Sequence, residues 1–177
     1  GTLTKIKKTR FYTRKKKHIC CLIGGSGKSS KFIINNIFKL VKDMNNLSKK
    51  KYIITYFFSR RTPLEVKSYI CNNKNPCINF YPNKNQNPYF EFLSKSNYFF
   101  VTEDSIGMIS DILSTGKPMY LIEVLKVKSK IKLFSKNLME QGFARKYNTN
   151  VKKWSYKPLN ESKRVANLII NSFFDKN

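Results

Sequence analysis

Short apolar runs alternate along the chain with stretches whose apolar positions return every three or four residues. The first run, HICCLI from His18 to Ile23, leads through the turn GGSG into a segment where Ile33, Ile37, Leu40, Val41 and Met44 fall on one helical face. A second run, YIITYFF, ends at SRRTPLE, where Thr62, Pro63 and Glu65 predict the N-cap, first-turn proline and capping acid of another helix. CINFY, starting at Cys77, predicts a short strand, and the loop PNKNQNP leads to a helix around Tyr89 to Ser94. YFFVT then reads as a strand, DSIGMISDILSTG as a helix stopped by Gly116, and PMYLI as a strand opened by Pro118. Ser129 to Gln141 and the terminal ESKRVANLIINSFF read as helices.

Strands and helices alternating at this spacing predict an α/β fold with a doubly wound, mostly parallel sheet covered on both faces. Such sheets bind ligands beyond the carboxyl ends of their strands. Three of those ends carry suggestive residues: the glycine turn Gly24 to Gly27, then Ser59, Arg60 and Arg61, then Thr102 to Ser105.

Composition adds a strong charge. The 177 residues carry a formal net charge of +25, densest in the opening TKIKKTRFYTRKKKH, so residues 1–17 read as a basic N-terminal arm. An anionic partner such as a phospholipid surface, a nucleotide or nucleic acid is one explanation. The other is a Lys-, Asn- and Ile-rich chain that fills its solvated faces with lysine. No apolar run approaches the ~20 residues that span a bilayer, and no hydrophobic stretch follows the basic start, so a cytoplasmic protein, peripheral on a membrane at most, is expected. The chain begins at Gly1 rather than at methionine and reads as a trimmed or partial stretch of a longer polypeptide.

His18 is the sole histidine, and the four cysteines lack paired spacing, so no metal site and no His-activated nucleophile is expected. Cys20, Cys21, Cys71 and Cys77 read as reduced and structural. The aromatic cluster Tyr89 to Phe100 reads as core, and Trp154 as an anchor between the domain and its last helix.

Gly27-Lys28-Ser29 imitates the end of a triphosphate-binding loop. The pattern needs a glycine five residues before Gly27, where Leu22 stands, and its lysine-first variant needs a lysine at Ile23. The strand after it also runs into Ser59, Arg60 and Arg61 instead of an acidic magnesium ligand. An ATPase or GTPase is therefore disfavoured. A different phosphate chemistry is suggested by Asn87 to Ile122. Ser105 at a helix start offers a hydroxyl and exposed amides to an anion, Gly107 permits close approach, and Asp111 lies on the same general side to accept hydrogen bonds from the vicinal hydroxyls of a ribose.

The block from Asn87 to Ile122 resembles the nucleotide-sugar lobe of GT-B glycosyltransferases and UDP-sugar 2-epimerases. The set LIGGSGK, SRRTP, NPYF, VTEDSIGMISDILSTGKPMY and GFAR, spread in order from Ile19 to Tyr147, resembles more closely the mitochondrial-fission Elm-type family, whose bacterial members are often labelled predicted nucleoside-diphosphate-sugar epimerases. The resemblance implies a Rossmann-like fold, the C-terminal lobe of a GT-B-like architecture, with residues 18–147 as the nucleotide-sugar-binding lobe and 148–177 as a tail and helix packed on it. It implies that Gly24, Gly25 and Ser26 face a donor diphosphate with Lys28 close by, that Ser59, Arg60 and Arg61 border the diphosphate, and that Arg60 or Arg61 neutralises its charge. Ser105, Ile106 and Gly107 would hold a phosphate at the helix end, Asp111 would bind the ribose, and Tyr89 and Phe90 would border the base. The family's ribose acid is usually glutamate, so Asp111 is one methylene shorter.

The resemblance supplies no catalytic residue and no cofactor beyond a nucleotide-diphosphate sugar as donor. With no Asp-x-Asp pair in sight, a metal-free transfer is expected, its acceptor site lying in an N-terminal lobe that this chain lacks. A second implication is a non-catalytic scaffold that recruits a partner protein to a membrane through the basic arm. General anion or nucleic-acid binding ranks third, because no sequence-specific recognition motif accompanies the charge.

Overall fold

The computed structural model describes residues 16–25, 27, 30–50, 52–73, 77–79, 88–123, 125–160 and 171, the side chains of 30, 77–79 and 125 excepted. The arm up to residue 15, Ser26, Lys28, most of the loop before Pro88 and, apart from Asn171, the terminal helix expected over 161–174 lie outside the described residues.

The strands are β1 (Lys17–Ile23), β2 (Ser30–Phe32), β3 (Tyr52–Phe58), β4 (Cys77–Asn79), β5 (Tyr98–Thr102), β6 (Met119–Ile122), β7 (Leu125–Val127) and β8 (Ala144–Lys146). The helices are α1 (Ile34–Lys50), α2 (Leu64–Cys71), α3 (Tyr89–Lys95), α4 (Ile106–Leu113) and α5 (Ser129–Glu140). Six strands form one sheet in the order β4-β3-β1-β5-β6-β8, every pairing parallel. Chain order therefore reverses between β1 and β5, the switch point at which a doubly wound sheet opens a crevice.

The central strands are buried along most of their length and mostly apolar because both of their faces are covered. Ile19, Cys21 and Ile23 of β1 pack with Ile37, Leu40, Val41 and Met44 of α1 and with Val66 and Ile70 of α2. Cys20 and Leu22 face the opposite way, toward Leu93 of α3, Ile109 and Ile112 of α4 and Leu138 of α5. The thiols of Cys20, Cys21 and Cys71 are free, the first two buried and Cys71 exposed.

Three elements depart from the expected pattern. β2 and β7 pair antiparallel as a separate two-stranded ribbon, and β8 adds a short edge to the main sheet. Thr62 is not the cap of α2. Pro63 occupies that position without a side-chain cap, and the Thr62 hydroxyl has been drawn to the end of β1 instead.

The amino edge of the sheet holds a closed polar cluster. Buried His18 bonds through Nδ1 to Ser96 Oγ at 2.8 Å and through Nε2 to Thr55 Oγ1 at 2.9 Å. Burial, with the charge of Lys117 nearby, lowers its pKa to about 4, so the ring stays neutral. Lys117 Nζ donates to Leu93 O at 2.9 Å and Ser94 O at 2.6 Å, and burial lowers its pKa to about 8. The tail crosses this end of the domain, with Tyr156 N donating to Gly116 O at 3.3 Å and Leu159 N to Leu113 O at 3.1 Å. Trp154 sets its ring edge-on to Tyr120 at 5.1 Å, with the Arg145 guanidinium 4.1 Å above its centre.

Candidate functional site

The carboxyl ends of β1, β3 and β5 converge on one carboxylate. Asp104 lies just past β5, 8% exposed, and its Oδ2 accepts the Gly25 amide at 3.0 Å. Its Oδ1 accepts the Thr102 hydroxyl at 2.7 Å and, more loosely, the Ser105 hydroxyl at 3.4 Å. Thr102 Oγ1 in turn accepts the Gly24 amide at 2.7 Å. The carboxylate is thus satisfied by short-range donors, as a buried charge requires. Arg61 Nη2 stands 3.6 Å from Oδ2 with its side chain 58% exposed, so the guanidinium remains largely in solvent.

Both glycines are needed for this closure. A Cβ on Gly24 would overlap the Asp104 carboxylate and the Ser105 hydroxyl, and one on Gly25 would overlap the backbone of Arg61. Thr62 completes the seal by donating its hydroxyl toward Ile23 O at 2.9 Å and Gly24 O at 2.6 Å, while Ser59 N donates to Ile23 O at 2.9 Å. The strand-to-turn segments after β1 and β3 are therefore fixed to each other.

This arrangement revises the part expected of the glycine turn. The Gly24 and Gly25 amides are committed to Thr102 and Asp104, so the turn makes a tight internal junction and does not present these two amides to a phosphate. Among the described residues the open donors lie one element further on. Ser105 is the N-cap of α4, and the first amide that closes a helical turn on it is Ile109 N to Ser105 O at 2.9 Å. Ile106, Gly107 and Met108 accordingly head the helix with amides that have no intrahelical acceptor. Gly107 is exposed, and a Cβ built on it meets nothing within 4 Å.

Asp111 sits one turn beyond Gly107, half-buried, and accepts the Tyr89 phenol at 2.8 Å. Tyr89 is a core side chain, 2% exposed, so it cannot lie against a base as the resemblance implied; Phe90 beside it is 43% exposed. Arg60 is exposed on the turn after β3, and Ser59 is half-buried with its Oγ 3.1 Å from Thr62 Oγ1. Gly24, Gly25, Arg61, Thr62, Asp104 and Ser105 are brought together, with Gly107 and Asp111 along the adjoining helix.

Lys31 of β2 lies directly opposite Lys126 of β7, both exposed, a pairing of like charges that disfavours the ribbon unless an anion screens it. Acidic groups occur on the β6 side, where Glu123 pairs with Lys146 at 3.0 Å. Buried Glu103 has its carboxyl pKa pushed up by burial first and by the Glu123 charge second, against the pull of Lys132 and Lys146. Among the described residues no group of His, Cys, Asp and Glu is placed to hold a metal ion, and no helix is long and apolar enough to cross a membrane.

A doubly wound α/β domain with an open helix start at its switch point defines a Rossmann-like protein. The chain belongs to the mitochondrial fission ELM1 family, whose model matches residues 2–173. It is 38% identical over 170 residues to the uncharacterized protein RP120 of Rickettsia prowazekii (strain Madrid E), covering 90% of this chain and 48% of that protein. It is 35% identical over 116 residues to the mitochondrial fission protein ELM1 of Arabidopsis thaliana, covering 63% of this chain and 27% of that protein. The chain thus spans about half the length of the first relative and about a quarter of the second. Among solved structures it is similar to UDP-GlcNAc 2-epimerase from Neisseria meningitidis bound to UDP-GlcNAc, with a TM-score of 0.47 and 16% identity over 92% of this chain and 38% of that one. The Moco carrier protein from Chlamydomonas reinhardtii gives a TM-score of 0.47 and 12% identity over 88% of this chain and 99% of that one.

Proposed function

We propose that this chain is the nucleoside-diphosphate-sugar-binding lobe of a GT-B-like glycosyltransferase or related enzyme. The observation that carries the reading is the open first turn of α4 at the switch point, with exposed Gly107 heading it and Arg61 held beside the same junction by Asp104. A diphosphate seated there would receive helix amides and the positive end of the helix dipole on one side and the Arg60 and Arg61 guanidinium groups on the other. Asp111, a turn further along, would accept the ribose hydroxyls.

In transfer, the same cations and amides would stabilise negative charge on the departing diphosphate, the part of the reaction where a preorganised donor set is worth most. The acceptor site and the base are proposed to come from elsewhere in a longer polypeptide, which the greater length of the relatives supports. Calorimetric titration with UDP, GDP and their sugars at about 0.15 M salt tests the lobe itself, since screening at that strength suppresses non-specific attraction to a basic protein. Arg61→Ala and Asp111→Ala should each weaken binding about tenfold. No heat at millimolar ligand would contradict the reading.

A second reading is a non-catalytic scaffold that brings a partner protein to a membrane, with the basic residues 1–17 as the contact; the dense positive charge of that stretch favours it. Sedimentation with anionic liposomes, with and without those residues, tests it. Unchanged pelleting after their removal rules the arm out.

A further inference from the structure

Tyr89 connects the core to the carboxylate of Asp111, one turn beyond Gly107 on α4. Its ring is fixed edge-on to Phe57, with centroids 6.1 Å apart, and to Phe90, 5.4 Å apart. From that buried position the phenol donates to Asp111 Oδ2 at 2.8 Å. A half-buried aspartate on a helix ordinarily exchanges rotamers in solvent, but a hydrogen bond from a ring that cannot move selects one. The donor is also permanent, because burial and then the Asp111 charge push the phenol pKa well above its ordinary value. A simple tether between α3 and α4 would be served by any two polar groups. Here the acceptor is a carboxylate one helical turn beyond Gly107, the exposed position where an added Cβ meets nothing within 4 Å.

We propose that Tyr89 is a positioning residue that orients the Asp111 carboxylate toward a vicinal diol, and that this makes the site prefer ribonucleoside diphosphates over their 2′-deoxy counterparts. The inference rests on the nucleotide-lobe reading above. It goes beyond that reading by assigning sugar discrimination to a side chain that never touches the ligand.

The test is titration of UDP and 2′-deoxy-UDP into the wild-type chain and into Tyr89→Phe, which removes one oxygen and keeps the ring packing. The wild type should prefer UDP about tenfold, as a hydroxyl bonded to a charged acceptor implies. In Tyr89→Phe that ratio should fall to about one while the affinity for 2′-deoxy-UDP stays within about twofold. An unchanged ratio, or equal weakening of both ligands, would make Tyr89 only a tether and overturn the inference while leaving the lobe reading intact. Failure of the wild type to bind either nucleotide would overturn both. Should Tyr89→Phe not fold, Asp111→Ala carries the test: without the carboxylate the ratio should fall to about one, and a retained ratio would overturn the inference.

Discussion

The Gly25 amide donates to the Asp104 carboxylate at 3.0 Å, and this bond joins the turn after β1 to the entrance of α4. It decides how the site is divided. The glycines and Asp104 build the junction, while Arg61, Gly107 and Asp111 remain at its surface.

Removing the acceptor should therefore be severe. Asp104→Ala leaves the Gly25 amide and the Thr102 and Ser105 hydroxyls without the oxygen atoms they meet in the folded chain. A loss of about 3 kcal/mol or more is expected in urea unfolding, because buried donors keep their full desolvation penalty. Arg61→Ala, on a side chain that is mostly solvated, should change stability by under about 1 kcal/mol and still lower diphosphate affinity.

The glycines should separate by position. Gly25→Ala drives a methyl group into the Arg61 backbone and should destabilise by about 1–3 kcal/mol, measured in the same unfolding experiment. Gly107→Ala meets open space and should leave stability unchanged or slightly raised. Its effect should appear only as weaker nucleotide binding.

Thr62→Val tests the seal between the ends of β1 and β3. It keeps the shape but removes the hydroxyl shared by Ile23 O and Gly24 O, so a loss of about 1–3 kcal/mol is expected in thermal or chemical unfolding.

His18 predicts a pH dependence. Its folded-state pKa, lowered to about 4, lies below the ordinary 6.5, so between those values the unfolded chain binds the proton and the folded one does not. The stabilisation is present above pH 6.5 and is lost as pH falls toward 4, by about 3 kcal/mol in all. Unfolding midpoints measured from pH 7 to pH 4 should show that decline, and His18→Gln should flatten it.

Much of this was legible in the chain. Runs such as HICCLI and YFFVT, apolar but for His18 and Thr102 at their ends, are what a parallel sheet covered on both faces requires, and α1 and α4 carried their helical spacing openly. The ribbon of β2 and β7 was not, because three residues apiece, with Lys31 and Lys126 facing solvent, give no period to read. β8 escaped for the same reason, with only Ala144 buried. Thr62 has the sequence signature of a cap, but tertiary contact with Ile23 O and Gly24 O outweighed the local preference. Asp104 was legible only as part of the strand end Thr102 to Ser105. The signal that would have marked it is the Thr102-x-Asp104 spacing at a strand end facing a pair of glycines, since a small-residue turn and a carboxylate in reach of its amides suit each other.

Backbone amide NMR of the 15N-labelled chain during titration with UDP, with inorganic phosphate as the control for charge alone, puts the central claim to its most direct test. The site described here predicts that the largest shifts fall on Ile106, Gly107, Arg61 and Asp111 and saturate with ligand, while the buried Gly24 and Gly25 amides keep their internal bonds and move less. Shifts spread evenly over exposed lysines, or none at Gly107 at millimolar UDP, would contradict it.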